Sequence, residues 1–190
     1  MTYLLRPQLE AALRRIDQKE QLEKAVPGHR GILAPVLGRS LMPTQHTLLL
    51  GRGLAFGIIA DSVVLTGDGM IGRVVETHAN TSLVMLLTDP ESHVAGLIER
   101  TRETGLVVGR ARGMLELVYL DADADVQEGD VVVTAGLGRA YPKGLILGTI
   151  THIDRRPSSG DATAQVKPAG HLGFLEDVLC LPPSAEFSVS

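Results

Sequence analysis

From Gly31 onward the chain is cut into short apolar, β-branched runs by glycine, proline and aspartate. Strand-like runs fall at Ile32–Gly38, His46–Leu50, Val63–Thr66, Met70–Val75, Leu83–Leu87 and Val94–Ile98. Others follow at Gly105–Val108, Leu115–Leu120, Val131–Thr134, Leu145–Ile153, Ala164–Lys167 and Val178–Leu181. Strands this closely spaced, with turn residues between them, predict a sandwich or barrel. No helix-length segments alternate with them, which excludes a parallel α/β sheet.

One phrase is written twice. VVLTGDGMIGRVVET (Val63–Thr77) has valines and Thr66, then glycines, then Ile71-Gly72-Arg73-Val74. VVVTAGLGRAYPKGLILGTITHI (from Val131) has Thr134, more glycines, then Leu147-Gly148-Thr149-Ile150. Asp68-Gly69 between two apolar runs predicts a tight hairpin, because the primed turns need positive φ. Gly136, Gly138 and Gly144 serve a longer connection in the second copy. The economical reading is one hairpin device used in two similar small β-domains. The alternative is coincidence, since such hairpins draw on few residue types.

The segment before Gly31 differs. PQLEAALRRIDQKEQLEKAVPG opens with Pro7 and closes with Pro27-Gly28, helix start and stop signals. Glu10–Arg14 and Glu20–Lys24 are favourable i,i+4 pairs. Leu5, Leu9, Ala12, Ile16 and Val26 fall on a coiled-coil spacing, and Leu13 widens the stripe. Such a short helix is marginal alone. Its apolar stripe needs either its own domain or a partner helix.

Composition narrows the function. The net charge is −4 with no Lys/Arg run, and aromatics are 3% with no Trp. This argues against a nucleic-acid binder, which needs a basic patch or stacking faces. The single cysteine, Cys180, makes neither a disulfide nor a Cys-rich metal site. No apolar run approaches the roughly 20 residues of a membrane-spanning helix. The chain as given therefore reads as soluble.

Motifs for chemistry are weak. His46, His78, Asp61 and Asp89 could supply the base and acid of a triad, with Ser158 or Ser159 the nucleophile. Yet the serines stand in SSGD, without a nucleophile-elbow context. DADADVQEGD (Asp121–Asp130) starts like a calcium loop, but Val126 and Val132 stand where Gly and Glu are needed. GRGLAFG (Gly51–Gly57) lacks the helix that a dinucleotide site requires. The six histidines form no metal-ligand pair. No cofactor or metal site is expected. Thr88-Asp89-Pro90 reads as a turn in which Asp89 caps backbone groups.

Five stretches, in order, resemble the MreC family of rod-shape-determining proteins of bacterial cell elongation. They are APVLGRS (Ala34–Ser40), TGDGMIGRVVE (Thr66–Glu76), SLVMLLTDPESHV (Ser82–Val94), the long region Leu115–Ile150, and VKPAGHLGFLEDVLCL (Val166–Leu181). Ordered matches give the context that a single motif lacks. The sequence departs from the family at Ala135, where Ser is more usual, and in its shortened N-terminal region.

The resemblance implies an all-β fold: two small six-stranded β-barrels of chymotrypsin-like topology, non-catalytic, preceded by an N-terminal coiled-coil helix. The boundaries expected are 1–30 for the helix and 31–90 for the first barrel, completed by a strand near 176–182. The second barrel is expected over 91–170, and a disordered tail over 183–190. The resemblance also implies a non-enzymatic scaffold at the periplasmic face of the bacterial inner membrane. Its partners would be the elongation-specific class B penicillin-binding protein, MreD and the RodA/RodZ/MreB complex. It would form homodimers and filaments, and reach the membrane only through an anchor absent from this chain. The rival reading is a hydrolase on the same barrels with a degenerate triad.

Residue expectations follow. Leu5, Leu9, Leu13 and Ile16 would dimerise the helix. Tyr141 and Pro142 would present a recognition loop, the plainer reading being a barrel-closing turn. Asp68, Gly69, Gly72, Asp89, Gly136, Gly144 and Gly148 would serve turns and close packing.

Overall fold

A computed structural model describes residue 20 and residues 31–137, 141–171 and 175–183. The expected helix residues Leu5, Leu9, Leu13 and Ile16 lie outside the described residues, as does the tail from 184.

Twelve strands build two closed antiparallel barrels of six strands each. The first contains β1 (Ile32–Met42), β2 (Gln45–Leu50), β3 (Val63–Thr66), β4 (Gly69–Thr77), β5 (Ser82–Leu86) and β12 (Asp177–Leu181). Its circular order is β1-β12-β3-β4-β5-β2. The second contains β6 (His93–Ile98), β7 (Thr104–Gly109), β8 (Leu115–Asp121), β9 (Val131–Thr134), β10 (Ile146–Arg156) and β11 (Asp161–Pro168). Its order is β10-β11-β8-β7-β6-β9. Closure pairs every strand on both sides and leaves few open edges to template aggregation.

All twelve sequence-predicted runs are strands, with shifted ends. β1 continues four residues beyond Gly38, past a bulge between Val36 and Gly38. β11 starts at Asp161, ahead of the expected Ala164, because Ala162 and Thr163 are held by β8 and β10 rather than by their own propensity.

Burial follows strand alternation. Ala34, Leu48, Leu50, Val64, Val84, Val178 and Cys180 fill the first barrel. In β3 and β12 the opposite faces are also apolar. Val63, Leu65, Leu179 and Leu181 join one continuous core with Ile98, Leu117, Leu147 and Ile150 of the second barrel. Each buried Val or Leu contributes roughly 1.5–3 kcal/mol. The barrels are therefore joined by a shared hydrophobic seam.

Candidate site at the hairpins and barrel junction

The doubled phrase occupies equivalent places in the two barrels. Gly72 sits opposite Val64, and Gly148 sits opposite Val132. A Cβ on Gly72 would overlap the Met85 carbonyl oxygen and come within 2.9 Å of Val84 Cγ1. A Cβ on Gly148 would overlap the Lys167 carbonyl oxygen and come within 2.7 Å of Val166 Cγ1. Each glycine thus lets the next strand pass close. The threonines correspond too. Thr66 Oγ1 donates to Gly69 O and accepts from Asp68 N, at 3.4 and 3.3 Å. Thr134 Oγ1, fully buried, donates to Pro142 O at 2.6 Å and accepts from Leu145 N at 2.9 Å.

One turn assignment is corrected. Thr66 pairs with Gly69, so the two-residue loop is Gly67-Asp68 and Gly69 is the first residue of β4. Asp68 is not at positive φ, whereas Gly69 is, at +153°. Gly69 also faces the second barrel: a Cβ there would overlap Ile146 O and lie 3.2 Å from Ala169 Cβ. The constraint is barrel-to-barrel approach, which no local turn rule reveals. In the longer second connection Gly136 and Gly144 have φ of +68° and +90°.

The link from β5 to β6 fastens the barrels. Asp89 is buried, and its carboxylate accepts from His46 N at 2.7 Å and Glu91 N at 2.9 Å. His46 Nδ1 and Thr88 Oγ1 are 2.8 Å apart and buried. Gly109 of β7 lies against this link, where a Cβ would overlap the Asp89 carbonyl. Asp89 therefore reaches residues far away in sequence, beyond its own turn.

Tyr141 packs against the shared core, and burial raises its phenol pKa, with the Arg73 and Asp61 charges nearby. Pro142 is buried. The two side chains offered for recognition are thus largely turned to the protein. Leu137 and Lys143 of that connection face outward, Leu137 being 66% exposed. Residues 138–140 lie outside the described residues.

The triad candidates are spent separately. Asp61 pairs with Arg73, and His78 with Glu76. Ser159 Oγ donates to Asp161 and Arg156 within the β10–β11 hairpin. Asp125 and Asp130 pair with Arg100, and Arg155 donates to the carbonyls of Ala122, Ala124 and Val126. The acidic loop is thereby tied down by two arginines. Among the described residues no His, Cys, Asp and Glu group is arranged to hold a metal ion. Cys180 is buried among aliphatic side chains, which pushes its thiol pKa up to about 12. Such a thiol is unreactive.

A cleft of about 800 Å³ opens between the barrels. Arg39, Leu41 and Pro43 of the β1–β2 arm and His46 and Thr88 at the barrel link form part of it. Ala111, Arg112, Gly113, Met114, Lys167, Pro168, Gly170 and His171 complete the wall.

These features define a double-barrel protein whose polar groups mostly secure its own turns and its barrel junction. A family model described as "Rod shape-determining protein MreC, barrel core" matches residues 36–182. The cell shape-determining protein MreC of Listeria monocytogenes is 30% identical over 177 residues, 90% of this chain and 60% of that protein. A solved MreC structure superposes with a TM-score of 0.82 at 24% identity, covering 90% of this chain and 99% of that one. MreC from Helicobacter pylori, solved in complex with penicillin-binding protein PBP2, gives 0.63 at 16% identity, covering 80% and 98%. The chain belongs to the MreC family. It spans only about 60% of the Listeria relative's length.

Proposed function

We propose that this chain is a non-enzymatic scaffold of the bacterial elongation machinery, acting at the periplasmic face of the inner membrane. It binds the elongation-specific class B penicillin-binding protein and organises peptidoglycan synthesis. The observation that carries this reading is that a protein of the same fold, H. pylori MreC, was solved in complex with penicillin-binding protein PBP2. Family membership supports the role in cell shape. MreD and the RodA/RodZ/MreB complex are the further partners. A helix carrying Leu5, Leu9, Leu13 and Ile16 would pair two copies, and filaments would extend that self-association. Among the described residues no helix is long and apolar enough to cross a membrane. Scaffold binding acts by differential affinity, favouring the synthase conformation that it binds better.

The test is titration of this chain with the periplasmic region of the cognate synthase, with sedimentation of each alone. Saturable binding is expected. A folded dimer that shows none at concentrations of tens of micromolar overturns the synthase assignment. Tyr141→Ala examines the loop: unchanged affinity removes Tyr141 from the interface.

A further inference from the structure

The inter-barrel cleft has a charge pattern unlike the rest of this acidic chain. Arg39, Arg112 and Lys167 line it together with His46 and His171, and among the described residues no Asp or Glu does. Among the described residues, no carboxylate pairs with Arg112, Lys167 or His171. Several other arginines pair with acids, Arg73 with Asp61, Arg100 with Asp125 and Asp130, and Arg110 with Glu116, while Arg155 holds backbone carbonyls. Between the cations the wall is apolar, from Leu41, Pro43, Met114 and Pro168. Arg112 is held at φ 63°, ψ 25°, a left-handed conformation that non-glycine residues seldom adopt, and Gly113 follows at φ 71°. Backbone strain of this kind gathers at ligand clamps.

We infer that the cleft binds an acidic, partly apolar peptide segment. A concavity lined by one sign of charge concentrates ligands of the other sign. Its volume lies within the roughly 300–1,000 Å³ of ordinary ligand sites. A free phosphate would leave the apolar wall unused. A flat bilayer surface cannot enter the concavity. Nucleic acid would want broad aromatic faces for stacking, and among the described residues the lining has no Phe, Tyr or Trp. A short peptide with alternating carboxylates and aliphatic side chains uses both features. This inference stands apart from the scaffold reading, because it concerns the chain alone.

The experiment is fluorescence anisotropy of the full chain with a short labelled peptide in which glutamates alternate with leucines, against its glutamine counterpart. Saturable binding of the acidic peptide, weakened by salt and by loss of the glutamates, is expected. Arg112→Glu and Lys167→Glu should each weaken it by about tenfold, as reversal of a contacting charge does. Both side chains are exposed, so folding is preserved, and the unchanged melting temperature of each variant verifies this. Lys143→Glu carries the same charge change outside the cleft lining and should bind like the parent. Equal binding of the two peptides, or equal loss in all three variants, overturns the inference. So does competition by inorganic phosphate alone, or binding only to vesicles of anionic lipid.

Discussion

At the residue scale, the two threonines of the repeated phrase test whether equivalent positions carry equal energy. Thr134 is fully buried with bonds at 2.6 and 2.9 Å, whereas Thr66 is half-buried with bonds at 3.4 and 3.3 Å. Removing the Thr134 hydroxyl leaves a buried carbonyl and a buried N–H short of a partner, at a cost of roughly 1–3 kcal/mol. Thr134→Val should lower stability by that amount in urea unfolding, and Thr66→Val by less than half as much. Equal losses would show that the hydrogen bonds do not decide the effect. Gly148→Val and Gly72→Val should cost more than either, because the obstacle is the neighbouring strand's backbone rather than a mobile side chain. Overpacking of this kind costs roughly 1–3 kcal/mol or more. Neither glycine is at positive φ, so D-Ala would bring no relief of the kind expected at Gly136 or Gly144.

At the element scale, the link Thr88–Ser92 behaves as a rivet. Asp89→Ala strips the acceptor from the backbone N–H groups of His46 and Glu91. A loss of roughly 2–4 kcal/mol is expected, from one charged acceptor lost to two donors. Asp89→Asn keeps an acceptor oxygen and should lose less; a thermal melt separates the two.

The loop Asp121–Asp130 gives a pH signature. Arg100, then the Gln127 N–H, hold the Asp130 carboxyl below its ordinary 3.8. Its contribution is complete above the unfolded-state value and disappears as pH falls through the lowered folded value. The stability gap between parent and Asp130→Asn should therefore be widest near neutral pH and close on acidification below about 3.8. A gap that stays constant with pH would remove the ion pair as its cause.

Much of the element layout was legible in the sequence, because β-branched runs between Gly and Asp signal strands without tertiary information. The dense apolar stretches Val63-Val64-Leu65 and Val178–Leu181, lacking a polar alternation, also carried a sign of burial on both faces. Their destination was not legible, since a second apolar face does not name what covers it. The partners of Asp89 and the cleft were equally hidden. Arg39, Arg112 and Lys167 meet only because two barrels abut, and no local spacing encodes that. The same holds for Gly69, which looked like a turn residue and is constrained by the other barrel.

At the scale of the whole molecule, the shared seam makes the two barrels one thermodynamic body. Leu65, Leu179 and Leu181 belong to strands of the first barrel but to the core of the second. Calorimetry should show one transition for both barrels. Leu179→Ala should lower it by about 2–5 kcal/mol, the usual cost of emptying a buried Leu site, without splitting it. Two separate transitions would show that the seam does not couple them.

The closing strand of the first barrel comes from the far end of the described chain: β12 lies between β1 and β3. During synthesis the chain emerges from its N-terminus, so β6 to β11 are all available before β12 is. The second barrel can close while the first still has two open strand edges. The first-made part is the last finished, and until Asp177–Leu181 arrives it is the part in need of protection from aggregation and proteolysis.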